Sequence, residues 1–316
     1  MAKKQFKAES KRLLDLMINS IYTHKEIFLR EIISNASDAI DKLCYVALTD
    51  DKVGMNRSDF AITVSVDKEN RTLTVSDNGI GMSREELENN LGVIASSGSY
   101  KFRQETEKKD KKDADIDIIG QFGVGFYSAF MVADSITVRT KKYGEEQAYE
   151  WQSSGADGYT ITECDKEAVG TDVIMHIKPD TDEEKYSEYL ESYRLHALVK
   201  KYSDYIRYPI RMLLPEQKIK EDSDPEKPEY ETVEEMKTVN SMVPLWQRKK
   251  SDVTDEEYNK FYSELTHEFD KPQRTITVSA EGSVTYKALL FVPSSRPFNF
   301  YTEGYEKGLQ LYSAGV

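Results

Sequence analysis

Three carboxylates, one carboxamide and a run of glycines in the first 130 residues are the groups with most chemistry in this chain. Glu31, Asn35 and Asp38 fall at i, i+4 and i+7 of EIFLREIISNASDAIDKL, Glu26 to Leu43, so on a helix they share one stripe. At the rim of a buried face such groups are half desolvated, a condition that raises the basicity of a carboxylate. The same three residues also suit the boundary of an ordinary amphipathic helix, with Asp38 pairing to Lys42 one turn on. Asp77 opens the turn DNGIGM, Asp77 to Met82. An ionised carboxylate only accepts hydrogen bonds, so on the floor of an apolar pocket it needs a paired donor such as the exocyclic amine of adenine. The plainer alternative is an Asp that bonds its own turn. Gly79 and Gly81 permit a positive φ or a close approach to the backbone, and Met82 supplies an adaptable apolar wall. GQFGVGF, Gly120 to Phe126, offers backbone N–H groups before YSAFMVA. That junction holds an anion if a helix starts there, and is a flexible turn or a lid hinge otherwise. It is neither a Walker A loop nor a dinucleotide fingerprint. An acid beside an amide, a lone acid at a strand end and a cradle of amides are the parts of a nucleotide site.

Regular elements must hold these groups in place. Leu29, Ile32, Ala36, Ala39, Ile40 and Leu43 form one apolar stripe, which leaves Arg30, Ser34, Ser37 and Asp41 on an opposite, solvated side. An earlier helix contains Leu13, Leu14, Met17 and Ile18. Alternation predicts strands near 61–66 and 72–75, so that Asp77 ends a strand, and further strands at 135–141, 147–152, 158–163 and 171–178. A long helical pattern covers about 183–206, and a short strand 211–213. Clustered strands with segregated helices indicate an α+β two-layer sandwich. From Pro215 to Glu235 the chain is rich in charge and proline and reads as a linker or an exposed extended crossing. The predicted organisation is therefore a domain over 1–214, a linker over 215–235 and part of a second α/β domain over 236–316, the last with a helix near 255–265, a strand pair, and Trp246 as either a packing residue or a partner contact.

Composition sets limits on partners. The chain has 316 residues, 31% charged and 39% hydrophobic, with a formal net charge of −13. Such a balance disfavours general duplex-DNA binding, which uses basic patches. An anionic ligand must then be captured by local dipoles and a metal rather than by the overall field. Cys44 and Cys164 form no disulfide framework, and His24, His176, His196 and His267 lack metal-ligand spacing, so all read as structural. MAKKQFKAESKRLL has no apolar signal core and no run of about 18 apolar residues follows, which points to a cytoplasmic protein.

In order along the chain, EIFLREIISNASDAIDKL, DNGIGM, NNLGVIASSGS, GQFGVGFYSAF, Gly170 with Thr171, EYNKFYSELTHEFDKP and YKALLFVPSSRPF resemble the 90-kDa heat-shock chaperone family, most of all its bacterial HtpG-type members. The resemblance implies the ATPase superfamily of gyrase, these chaperones, histidine kinases and MutL. It implies Glu31 as general base toward a water, Asn35 as the ligand of a magnesium ion, and Asp77 on adenine with Thr171 supporting through water. Asp38, Ala39, Gly81, Met82, Asn90, Leu91 and Phe126 would line the pocket, and the amides of Gln121, Phe122, Gly123, Val124, Gly125 and Phe126 would hold phosphates. ATP and ADP are the implied ligands, beneath a lid of about residues 93–125. Where the family reads AKSG, this lid reads ASSG, so Ser96 stands in place of a lysine, which should weaken phosphate binding or closure. The implied activity is that of an ATP-dependent chaperone acting on unfolded proteins, with co-chaperones, no nucleic acid and no membrane. Family members continue beyond the point matching Val316 to an arginine that reaches the γ-phosphate and to a dimerising C-terminal domain. This chain is accordingly expected to bind nucleotide and turn it over slowly. A DNA-topology or mismatch-repair ATPase, or a nucleotide-gated binding module without catalysis, are the alternatives.

Overall fold

The computed structural model describes residues 24–56, 58–93, 119, 123–155, 158–219, 230–266, 269–282, 285–296, 301, 308–312 and 315–316. The chain forms two compact units, Met1–Asn240 with Ala314–Val316, and Ser241–Ser313. The expected helix at 13–18 lies outside the described residues, as do 94–118 and 120–122 of the expected lid.

The first unit contains strands β1 Ile62–Asp67, β2 Thr72–Asp77, β3 Ala133–Lys141, β4 Ala148–Ser153, β5 Tyr159–Cys164, β6 Gly170–Ile177, β7 Ile210–Ile219 and β8 Tyr230–Thr238. They make one sheet in the order β5-β4-β3-β6-β2-β1-β7-β8, parallel only between β1 and β7. Register turns the alternating pattern into rows across the sheet. Val66, Leu73, Met175 and Ile136 form one row, and Val64, Val75, Val173 and Val138 the next. The third row, Ile62, Asp77, Thr171 and Thr140, lies on the same face and turns polar. Helices α1 Ile27–Ala47 and α3 Ser192–Tyr202, with the 3-10 turn Gly125–Met131, pack into this core, giving the two-layer α+β sandwich. The short helix α2, Arg84–Leu91, starts on a capping box in which Ser83 Oγ accepts from Glu86 N–H and the Glu86 carboxylate accepts from Ser83 N–H.

Three elements depart from the sequence reading. Ser34, Ser37 and Asp41, expected in solvent, are buried, because α3 and the residues after it cross that side of α1. Two serines allow the close approach, and Asp41 accepts from the Tyr208 hydroxyl at 2.5 Å. The helix expected over 183–206 breaks into a 3-10 turn, Tyr186–Leu190, and α3, because Glu191 is extended (φ −98°, ψ 120°). Each piece buries its own side chains, Tyr186, Tyr189 and Leu190 before the break and Leu195, Leu198 and Val199 after it. The described residues of the span, 215–219 and 230–235, are strand: β7 runs on to Ile219 and β8 returns along it. Its dense charge pairs across the hairpin, Lys237 with Glu216 at 2.8 Å and Lys218 with Glu235 at 3.5 Å. β1 reaches only to Met212, so Pro215 sits where β7 has a strand neighbour on one side only.

The second unit pairs β9 Arg274–Ala280 with β10 Tyr286–Val292 and carries helix α4 Asp255–Thr266. Trp246 packs here, its ring centroid 5.0 Å from that of Tyr312 and 6.2 Å from that of Phe261.

Candidate functional site

The polar end of the sheet rows is where the predicted groups gather. Asp77 is the last residue of β2, opposite Thr171 on β6, and its Oδ1 accepts from Gly79 N–H at 2.9 Å, the local bond of an Asp turn. Thr171 Oγ1 lies 2.9 Å from Thr140 Oγ1, and Thr140 Oγ1 accepts from Met82 N–H at 2.9 Å. β2, β3, β6 and the DNGIGM turn thus meet at one buried hydroxyl pair.

The turn is fastened to α1. Ile80 N–H donates to the Ala39 carbonyl at 3.0 Å, and Ile80 O accepts from Tyr143 N–H at 2.8 Å. Gly81 has φ +67°, and a Cβ there would run into the Lys141 carbonyl, so the turn passes the β3 end only as glycine. Ala39 is half-buried at this junction.

Along α1, Glu31 is half-buried and accepts from Arg30 Nε at 3.0 Å. Asn35 is exposed one turn on. Asp38 is fully buried and accepts from Ile119 N–H at 2.8 Å. Gly125 begins the 3-10 turn, not the expected α-helix, and a Cβ there would collide with Glu31 Oε2, so the glycine loop abuts the acid. Gly123 takes φ +65°, Val124 is half-buried, and buried Phe126 meets Trp151 edge-on at 5.5 Å. At the end of α2, Asn90 and Leu91 are half-buried, and Leu91 O accepts from the Tyr127 hydroxyl at 2.9 Å. Gln121, Phe122 and Ser96 lie outside the described residues. Motif by motif, the structure joins Glu31 to Gly125, Ala39 to the Asp77 turn, and Asp77 through Thr171 and Thr140 to Met82.

Burial pushes the Asp77 carboxyl up to about 7, with the nearby Asp172 charge adding, against the Gly79 and Thr171 N–H groups and Lys166, which favour ionisation. Lys42, one turn beyond Asp38 on α1, is held below the usual lysine range by burial, while Asp38, Glu86 and Asp77 favour its charge. Sequence reasoning missed Thr140, although it takes the third inward position after Ile136 and Val138, where an apolar alternation turns polar. It named Lys42 only as a helix ion-pair partner. Among the described residues no group of three His, Cys, Asp or Glu could hold a metal ion, and no helix is long and apolar enough to cross a membrane.

A family model described as Histidine kinase-, DNA gyrase B-, and HSP90-like ATPase matches residues 22–171, and one described as Hsp90 protein matches residues 215–316. Curated proteins named Chaperone protein HtpG, from Alkaliphilus metalliredigens and Bacillus subtilis, are each 59% identical to this chain over 316 residues, and one from Clostridium botulinum (strain 657 / Type Ba4) is 58% identical. Each alignment covers 100% of this chain and 49% of the relative, so the chain spans about half the length of the curated relatives it matches.

Proposed function

This chain belongs to the Hsp90 protein family, and on that premise we propose that its first unit binds ATP and ADP and hydrolyses ATP, hydrolysis timing a conformational closure on unfolded or partly folded protein clients. The observation that carries this reading is the convergence of three motifs distant in sequence: the Asp77 turn bonded to Ala39, the same helix presenting Glu31, and Gly125 against Glu31. A desolvated carboxylate is costly unless it meets a donor, and the exocyclic amine of adenine is one. Thr171, already bonded to Thr140, would support that contact through water. Met82, Asp38, Ala39, Asn90, Leu91 and Phe126 would wall the base and sugar. The amides of residues 121–126 would take the phosphates, with Gly123 and Gly125 leaving room for them. Asn35, exposed on the rim, would hold a magnesium ion through its side-chain oxygen, with phosphate oxygens as further ligands, and the ion would neutralise phosphate charge.

Glu31 would orient the attacking water and take its proton. Its Oε1 is engaged by Arg30, and this chain is expected to bind nucleotide more readily than it turns it over. A homodimeric full-length assembly, client and co-chaperone partners and a cytoplasmic setting accompany the reading. The test compares native protein, Glu31→Ala and Asp77→Asn for ADP affinity and single-turnover ATP hydrolysis. Glu31→Ala should keep affinity and lose about 100-fold or more in rate, whereas Asp77→Asn should lose affinity. An unchanged rate in Glu31→Ala would make this a nucleotide-gated binding module instead.

A further inference from the structure

We propose that the second unit contains a binding site for a phosphoryl dianion, free or as a monoester, in the cleft of about 370 Å³ formed at helix α4 and strand β9. Lys250, Lys271 and Arg274 border this cleft against a single carboxylate, Asp255. None of the four has an ion-pair partner among the described residues. Glu257, two residues on from Asp255, is already engaged. The Thr254 N–H and then the Arg248 guanidinium, 2.8 Å away, pull its carboxyl down to about 2. In a chain of net charge −13, three cations on one concave wall are left without a carboxylate partner among the described residues, and an anion would fill that role. The lining charge balances at two positive, which matches a dianion better than a lone carboxylate.

A second observation comes from an uncharged group. Tyr258 lines the same cleft and is 5% exposed, and its buried hydroxyl has no hydrogen-bond partner among the described residues. A buried donor left without an acceptor is destabilising, and phosphate oxygens are strong acceptors. Asn259, also in the wall, adds an amide donor. The cleft is larger than a phosphate ion, so a monoester fits as well.

None of these residues belongs to the first unit, so the site stands or falls apart from the nucleotide reading. In the full chain at low ionic strength, backbone amide NMR shifts of Tyr258, Asn259 and Arg274 should saturate on titration with inorganic phosphate at about 1 mM or below. A chloride titration at matched ionic strength should not reproduce them. Lys271→Gln combined with Arg274→Gln, both exposed positions, should weaken binding about tenfold or more. Tyr258→Phe should weaken it by less, and Asp77→Asn should leave it unchanged. Tighter binding of glycerol phosphate than of inorganic phosphate identifies a monoester as the ligand, and equal binding identifies the free ion. Shifts that chloride reproduces, or that persist undiminished in the Lys271/Arg274 double variant, overturn the proposal.

Discussion

Asp77 destabilises the empty fold in order to bind. With its carboxyl raised from 3.8 to about 7, the native chain holds a proton there that the unfolded chain releases. Stability attributable to this group therefore falls as pH rises from about 4 to about 7 and is level above. The side chain stays partly accessible, so the penalty at pH 8 is about 1–3 kcal/mol rather than the full linkage value. Asp77→Asn should thus raise the stability of the ligand-free chain at pH 8 while removing its nucleotide affinity, read by urea denaturation and by titration. The ionised form accepts from the amine of adenine more strongly than the neutral acid, whose carbonyl oxygen still accepts. Adenosine, which has no phosphate to titrate, should therefore bind more weakly as pH falls below about 7 and level off above it. Affinity that ignores pH would show that the base does not rest on Asp77. The residue itself was legible, because a lone acid ends an alternating strand before Asn-Gly. Thr140 was not, since its role comes from register across β6 and β3, which spacing within one strand does not reveal.

Helix α1 shows what a periodicity argument can and cannot reach. The apolar stripe from Leu29 to Leu43 is buried as its spacing requires, except for half-buried Ala39. Ser34, Ser37 and Asp41 are buried as well, because a second element packs on the other side, and a helical wheel has no knowledge of its neighbours. The same blindness hid the anchor at the start of α1. Glu26 takes Lys201 Nζ and Arg194 Nη2, each at 2.8 Å, and the Tyr202 hydroxyl, all from α3, 168 to 176 positions away. Burial alone would raise the Glu26 carboxyl, but those three hydrogen bonds outweigh it and hold the group at about 2, below its usual 4.5. A depressed carboxylate stabilises above its unfolded pKa and loses that contribution as pH falls toward the folded value. Glu26→Gln should cost about 2 kcal/mol at pH 7, and the gap to native protein should close between about pH 4.5 and pH 2. Equal denaturation midpoints at pH 7 would show that the cluster holds nothing together.

At the scale of the whole chain, the α+β sandwich and its strands followed from alternation, whereas the end of the first unit did not. Composition placed a boundary at residue 214, because a stretch rich in Glu, Lys and Pro looks like a solvated tether. In the structure Lys237 pairs with Glu216 and Lys218 with Glu235 across β7 and β8, and the unit continues to Asn240. Asn240 closes it as a staple: its Oδ1 accepts from Ile210 N–H at 2.8 Å, and its Nδ2 donates to Ile206 O at 2.9 Å and Tyr208 O at 3.0 Å. All four groups are buried, so one amide satisfies three backbone atoms where the chain enters β7. Val239 N–H donates to Ile210 O at 2.8 Å beside it, so the last residues of the unit are tied to β7 twice. Removing the staple strands an N–H and two carbonyls in an apolar setting, which is worse than never having paired them. Asn240→Ala should therefore destabilise the first unit by about 2–4 kcal/mol, and Asn240→Asp, which turns a buried carboxylate toward two carbonyls, should cost at least as much at pH 7. Urea unfolding of the 316-residue chain, followed through the ring signals of Trp151 in the first unit, measures it. A midpoint unchanged in Asn240→Ala would put the boundary back near residue 214 and make the hairpin an appendage rather than part of the fold.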